Sequence, residues 1–134
     1  ERMAPLDQRH GLAVLAALEA CGETDAVLLQ AALLHDVGKT GAGVTVWHRV
    51  ARVLLSGPVP PLWRGLSSAP TGWRGPFRAL AEHPSRGAEW VESRGGGADL
   101  AALIRHHEAP CPASWRGTDQ GRRHAALAAA DGQQ

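Results

Sequence analysis

The stretch Ala26-Val27-Leu28-Leu29-Gln30-Ala31-Ala32-Leu33-Leu34-His35-Asp36-Val37-Gly38-Lys39 decides how this chain is read. Its first part is apolar nearly all round, and a helix with no polar face is expected to be buried. A helix is placed over residues 25–36, with Thr24 as N-cap, Asp25 as a first-turn acid and Gly38 as the stop. Such a helix carries His35 and Asp36 into the interior, where an uncompensated carboxylate costs roughly several kcal/mol. A metal ion meets that need, because neutral imidazole and ionised carboxylate suit zinc, iron, manganese and similar divalent ions. Taken alone, the pair could also be a plain helix end, with His35 capping carbonyls and Asp36 in water.

Working outward, the same residue types recur. His10 precedes the pair, and His83, His106-His107 and Asp131 follow it, so that five of the seven histidines fall in one series. The segments between them are punctuated by glycine and proline and show no strand alternation, which predicts an all-α fold. Further helices are expected over 8–21, 45–55, 77–82, 84–93, 98–108 and 119–131. Pro84 is assigned the first position of its helix. The Trp/Pro/Gly-rich stretch 57–76 is read as a covering loop with one short helical turn at most. Gly95-Gly96-Gly97 lacks the Lys-Ser/Thr of a phosphate loop and is a connector.

The bulk numbers bound the function. A chain of 134 residues with 44% hydrophobic and 20% charged residues is expected to be one soluble globular domain. A net charge of +1 gives no strong signal for nucleic-acid binding by phosphate neutralisation. No stretch approaches the ~18 apolar residues of a membrane span, and no signal-peptide pattern opens the chain. A cytoplasmic setting is therefore expected, with Cys21 and Cys111 as idle thiols, although sequence alone does not decide against a disulfide. Because residue 1 is not methionine, the chain is expected to be a trimmed form or part of a longer protein. Lys39 is the only lysine beside thirteen arginines. His48 is expected in a core or solvated position, and His124 at the surface.

The order His10, His35-Asp36, Asp131, with His-Asp-Val-Gly-Lys around the central pair, resembles the HD superfamily of metal-dependent phosphohydrolases. The likeness runs over nearly the whole chain. His35-Asp36-Val37-Gly38-Lys39, His83-Pro84-Ser85-Arg86-Gly87 and His106-His107-Glu108 are similar, in that order, to the HD-GYP subgroup and its near relatives. The resemblance implies an HD-domain helical bundle with two divalent ions at its centre: iron, manganese, zinc, nickel, cobalt or magnesium. It implies that His10, His35, Asp36 and Asp131 hold one ion. Asp36 would bridge to a second, held by His83 and by His106 or His107. Two departures stand out. Ala109-Pro110-Cys111-Pro112-Ala113-Ser114-Trp115 replaces the Asp-Gly-x-Gly-Tyr-Pro of the subgroup. Leu6 also stands where some members carry a glutamate for a third metal.

What the resemblance implies for function is hydrolysis of a phosphomonoester or phosphodiester in a small phosphorylated substrate, a nucleotide by expectation. A hydroxide held between the metals would be the nucleophile. Asp36 would bridge them, and Lys39 would stabilise phosphate charge or assist the leaving group. Trp63 and Trp73 could stack a base if the loop closes over the site. The alternatives are a di-iron oxygenase on the same fold and a non-catalytic sensor or scaffold domain whose metals only hold it together.

Overall fold

The computed structural model describes residues 3–40, 48, 51, 60–68, 72 and 75–133. Among these there are helices and turns but no strand, so the all-α expectation holds. Six α-helices follow in order: α1 (Pro5–Ala20), α2 (Ala26–Leu34), α3 (Pro60–Ser67), α4 (Gly75–Glu92), α5 (Ala98–His106) and α6 (Asp119–Asp131). Short 3-10 turns lie at Val37–Lys39 and Ala113–Trp115. The helix expected over 45–55 lies outside the described residues, apart from His48 and Ala51, which are helical.

Helix α1 begins earlier than the expected residue 8, because Pro5 near its start has φ preset for a helix and no N–H to satisfy. It ends in a left-handed glycine. Gly22 has φ +82°, its N–H donates to the Glu19 carbonyl, and the Glu23 N–H donates to the Leu18 carbonyl. The same pair of bonds closes α4 at Gly95, with the Gly95 N–H on Glu92 and the Gly96 N–H on Val91.

The cap of α2 is Asp25, not Thr24: its carboxylate accepts from the backbone N–H of Val27 and Leu28 at 3.0 and 3.1 Å. Nor is α2 buried all round. Leu28, Ala31 and Ala32 are buried while Leu33 is exposed, so only one side of this apolar helix meets the core. The stretch expected as a covering loop contains α3, a helix of two turns. Trp63 on it is half-buried and meets Phe77 edge-on at 6.2 Å between ring centroids. Trp73 lies outside the described residues.

Two expected helices, 77–82 and 84–93, are one. Helix α4 runs straight through Pro84. Proline at this point leaves the Leu80 carbonyl without its helical N–H donor, and that is normally what breaks a helix. Here the ring Nδ1 of His83 donates to the Leu80 carbonyl at 2.8 Å and replaces the missing bond.

The core lies where α1, α2, α4, α5 and α6 meet, built from Val14, Leu18, Leu28, Leu103, Ile104 and Leu127 with many alanines between them. Small residues let the helix axes approach. The closest approach is made by glycine: a Cβ on Gly38 would lie 2.0 Å from the His83 carbonyl oxygen and 2.7 Å from the Gly87 nitrogen. The Val37–Lys39 turn therefore rests directly on the α4 backbone, and this brings the end of α2 against His83.

Candidate metal centre

Five helices deliver the polar residues. His10 comes from α1, His35 and Asp36 from the end of α2, His83 from the middle of α4, His107 from the end of α5 and Asp131 from the last position of α6. They form two groups whose ligand atoms lie within 4.8 Å of one another and that could each hold a metal ion. One is His10, His35 and Asp131; the other is Asp36, His83 and His107. The groups adjoin. His35 Nε2 lies 3.6 Å from Asp131 Oδ1 and 3.8 Å from Asp36 Oδ1, and the rings of His35 and His107 meet edge-on at 5.1 Å. The second group is wholly buried, whereas His10 and Asp131 are only half-buried, so the cluster is open to solvent on their side.

Three imidazoles are oriented in one way. Nδ1 of His35, His83 and His107 lies on the carbonyl three residues earlier, at Ala32 (3.0 Å), Leu80 (2.8 Å) and Ile104 (2.7 Å). A carbonyl can only accept, so Nδ1 carries the hydrogen in each ring and the neutral form presents a bare Nε2 lone pair to the cluster. At the ends of α2 and α5 those carbonyls belong to the last turn, where backbone donors run short, and the Ile104 carbonyl has only the His107 N–H at a long 3.5 Å besides the ring. At His83 the carbonyl is the one that Pro84 leaves unpaired. Second bonds of this kind fix the tautomer and direction of metal-ligating histidines.

Two consequences follow for a cation. The Nε2 of His35 is buried and has no hydrogen-bond partner, both neighbouring carboxylates standing beyond bonding distance. The Nε2 atoms of His83 and His107 face one another at 3.3 Å. Two lone pairs at that separation repel unless a proton or a metal ion lies between them. Burial, reinforced by His83, pushes His107 down to about 4, so its imidazole is neutral at neutral pH. An orphaned buried nitrogen and a facing imidazole pair are what this donor set needs a cation to satisfy, and the residues fit one.

The carboxylates are ionised. Burial alone would raise Asp36, but His83, Lys39 and His35 outweigh it and hold the carboxyl far below its ordinary range. Asp131 is lowered to about 2, chiefly by His35 against the opposing effect of burial, with His10 adding to it through a 2.7 Å hydrogen bond. Burial pulls His35 down, yet Asp131 and Asp36 prevail and its pKa is raised.

Of the residues singled out from sequence, six come together with Lys39 beside them, whereas His106 points elsewhere and His124 does not lie where expected. His106 turns away from the cluster: its ring packs edge-on against Trp115 at 5.2 Å, and His107 is the one that faces His83. Lys39 folds back onto the cluster, with Nζ 2.6 Å from Asp36 Oδ1 and a side chain only 10% exposed. His124 is not at the surface. It is buried, and its Nε2 donates to the carbonyls of His106 and Ala109, closing the end of α5 that carries His107. His48 is half-buried against Phe77, and both cysteines are free thiols.

From sequence, one further residue stands only as part of a motif, without a role, and another is not singled out. Glu108 brings Oε1 to 3.5 Å from His83 Nε2 and 3.9 Å from His107 Nε2. Asp7, three residues before His10, is buried at the start of α1. Its signal was present, since 7, 11, 14 and 18 share one helical face with Gly11, Val14 and Leu18, all of them buried. No model of a known protein family, no curated protein and no solved structure matches the chain. No helix among the described residues is long and apolar enough to cross a membrane.

Proposed function

We propose that this protein is a metal-dependent phosphohydrolase of the HD type, acting on a phosphomonoester or phosphodiester of a small nucleotide. The observation that carries the proposal is the buried, unpartnered Nε2 of His35, set between two ionised carboxylates. A protein core does not ordinarily keep such a nitrogen without a ligand for it. His10, His35 and Asp131 would hold one divalent ion, and Asp36, His83 and His107 the other, with Asp36 close enough to His35 to serve both.

When bound, such ions polarise a phosphoryl oxygen and lower the pKa of water. The chain's own residues do the rest. The three backbone-tied imidazoles keep fixed directions, so little reorganisation accompanies binding. The half-buried His10–Asp131 side is the open approach for a phosphate ester, and the buried side keeps bulk water out. Lys39 holds a positive charge beside Asp36, where it draws in an anionic substrate and steadies charge on its phosphate. With Pro110 and Pro112 in the turn after Glu108, a flexible substrate loop is disfavoured, which speaks for small substrates over cyclic dinucleotides.

The Lys39–Asp36 pair favours a second reading, an ion-free polar core in which the lysine alone neutralises the carboxylate. Elemental analysis of anaerobically purified protein, followed by a phosphate-release screen over nucleotides, separates the two. Two ions per chain and metal-dependent phosphate release are expected. Metal-replete protein that binds no ion would overturn the proposal. Two irons with oxygen consumption and no phosphate release would place the chain among oxygenases instead.

A further inference from the structure

A cavity of about 360 Å³ opens between the Val37–Thr40 turn and one stripe of α4, lined by Val37, Gly38, Thr40, Arg86, Trp90 and Arg94. None of the six candidate metal ligands lines it. Arg86, Trp90 and Arg94 follow at four-residue spacing, so they stand nearly above one another along α4 and the turn that ends it. The Arg94 guanidinium lies 4.0 Å over the Trp90 ring, a cation–π contact that holds its planar fork in place.

The charge in this cavity is not compensated. Four other arginines are held by carboxylates, Arg78 by Glu82, Arg105 by Glu92, Arg122 by Glu23 and Asp25, and Arg123 by Asp25 and Asp99, whereas Arg9, Arg64 and Arg116 stand apart from this cavity. Among the described residues no carboxylate pairs with Arg86 or Arg94, and the neighbour of Arg94 is the neutral Ser93 hydroxyl at 3.5 Å. Guanidinium groups match phosphate oxygens two at a time, which an ammonium does not. The opposite wall gives shape instead of charge. Gly38 adds no side chain, and the Thr40 hydroxyl donates its proton to the Val37 carbonyl at 2.6 Å. Small-molecule sites run from about 300 Å³ upward, so this one suits a single phosphate with one modest planar group.

We propose that the cavity between the Val37–Thr40 turn and α4 binds a phosphate-bearing molecule of mononucleotide size. Its phosphate lies on Arg86 and Arg94, and its planar part rests against the uncovered side of Trp90. The inference stands whether or not the histidine–aspartate cluster holds metal.

Calorimetric titration of the full chain at low ionic strength with adenosine monophosphate, inorganic phosphate and adenosine tests it. The parent binds the monophosphate saturably, phosphate competes, and adenosine binds at least tenfold more weakly. Both arginines are exposed, so Arg86→Gln with Arg94→Gln leaves the fold intact and weakens the monophosphate about tenfold or more, as loss of charge-assisted hydrogen bonds requires. His10→Ala, which alters the cluster from α1 and makes no bond to α4, leaves that affinity unchanged. An indole N–H resonance missing from Trp90→Phe shifts during titration of the parent. Equal affinity in the double arginine variant, equal binding of adenosine, loss of binding in His10→Ala alone, or no binding of the monophosphate below roughly 10 mM would each overturn the proposal.

Discussion

Gly38→Ala tests the joint that holds the cluster together. The added Cβ would lie 2.0 Å from the His83 carbonyl oxygen and 2.7 Å from the Gly87 nitrogen. Ordinary contacts begin near 3.4 Å. Both neighbours are backbone atoms inside α4, so no side chain can swing aside, and the turn must lift by more than an ångström. Overpacking of this kind costs about 1–3 kcal/mol, sometimes more. For a chain of this size that lowers Tm by roughly 3–15 °C. Because the same turn sets Asp36 3.4 Å from His83, metal affinity falls along with stability. Gly65→Ala is the control. Gly65 lies exposed within α3 with nothing near its Cβ position, and alanine there is neutral or stabilising by up to about 1 kcal/mol. Urea midpoints and metal titrations on both variants decide the matter. A Gly38→Ala protein within about 0.5 kcal/mol of the parent, with unchanged metal binding, would refute the close approach of turn and helix.

Three further outcomes are expected. His107→Ala removes an ion from the Asp36–His83 side while His106→Ala keeps full metal content; the reverse result in elemental analysis would mean that α5 is rotated from its place here. Lys39→Ala retains its metals and lowers turnover, on the best substrate of the screen, by about ten- to a thousand-fold; undiminished turnover would leave the lysine no task beyond neutralising Asp36. For Asp25, burial raises the carboxyl, but Arg123 and the N–H groups of Leu28 and Val27 prevail and its folded pKa is lowered. The stability it adds is thus fully present above the unfolded value near pH 4 and is lost as pH falls through the lower folded value. Asp25→Asn should show a smaller loss of urea midpoint between pH 7 and pH 3 than the parent, and an identical loss would dismiss Asp25 as a source of the acid sensitivity.

The sequence by itself determined the helical class, the glycine stop after α1 and the set of residues from which a metal centre could be built. Those are local properties. A glycine after an apolar run, or a histidine-aspartate pair at the end of one, carries its meaning within a few residues. What only the tertiary structure decided is which way each side chain faces. His106 and His107 are neighbours about 100° apart around a helix, and the packing of α5 on α4 and α2 chooses between them. The packing of α6 likewise turns His124, on the same face as Leu127 and Asp131, into the interior. Pro84 is a helix breaker by local preference, yet α4 continues, because His83 supplies the donor that proline lacks. Lys39 lies against Asp36 because Gly38 presses its turn onto α4. In each case the deciding partner lies on another element, or in a side-chain bond that backbone propensity does not register.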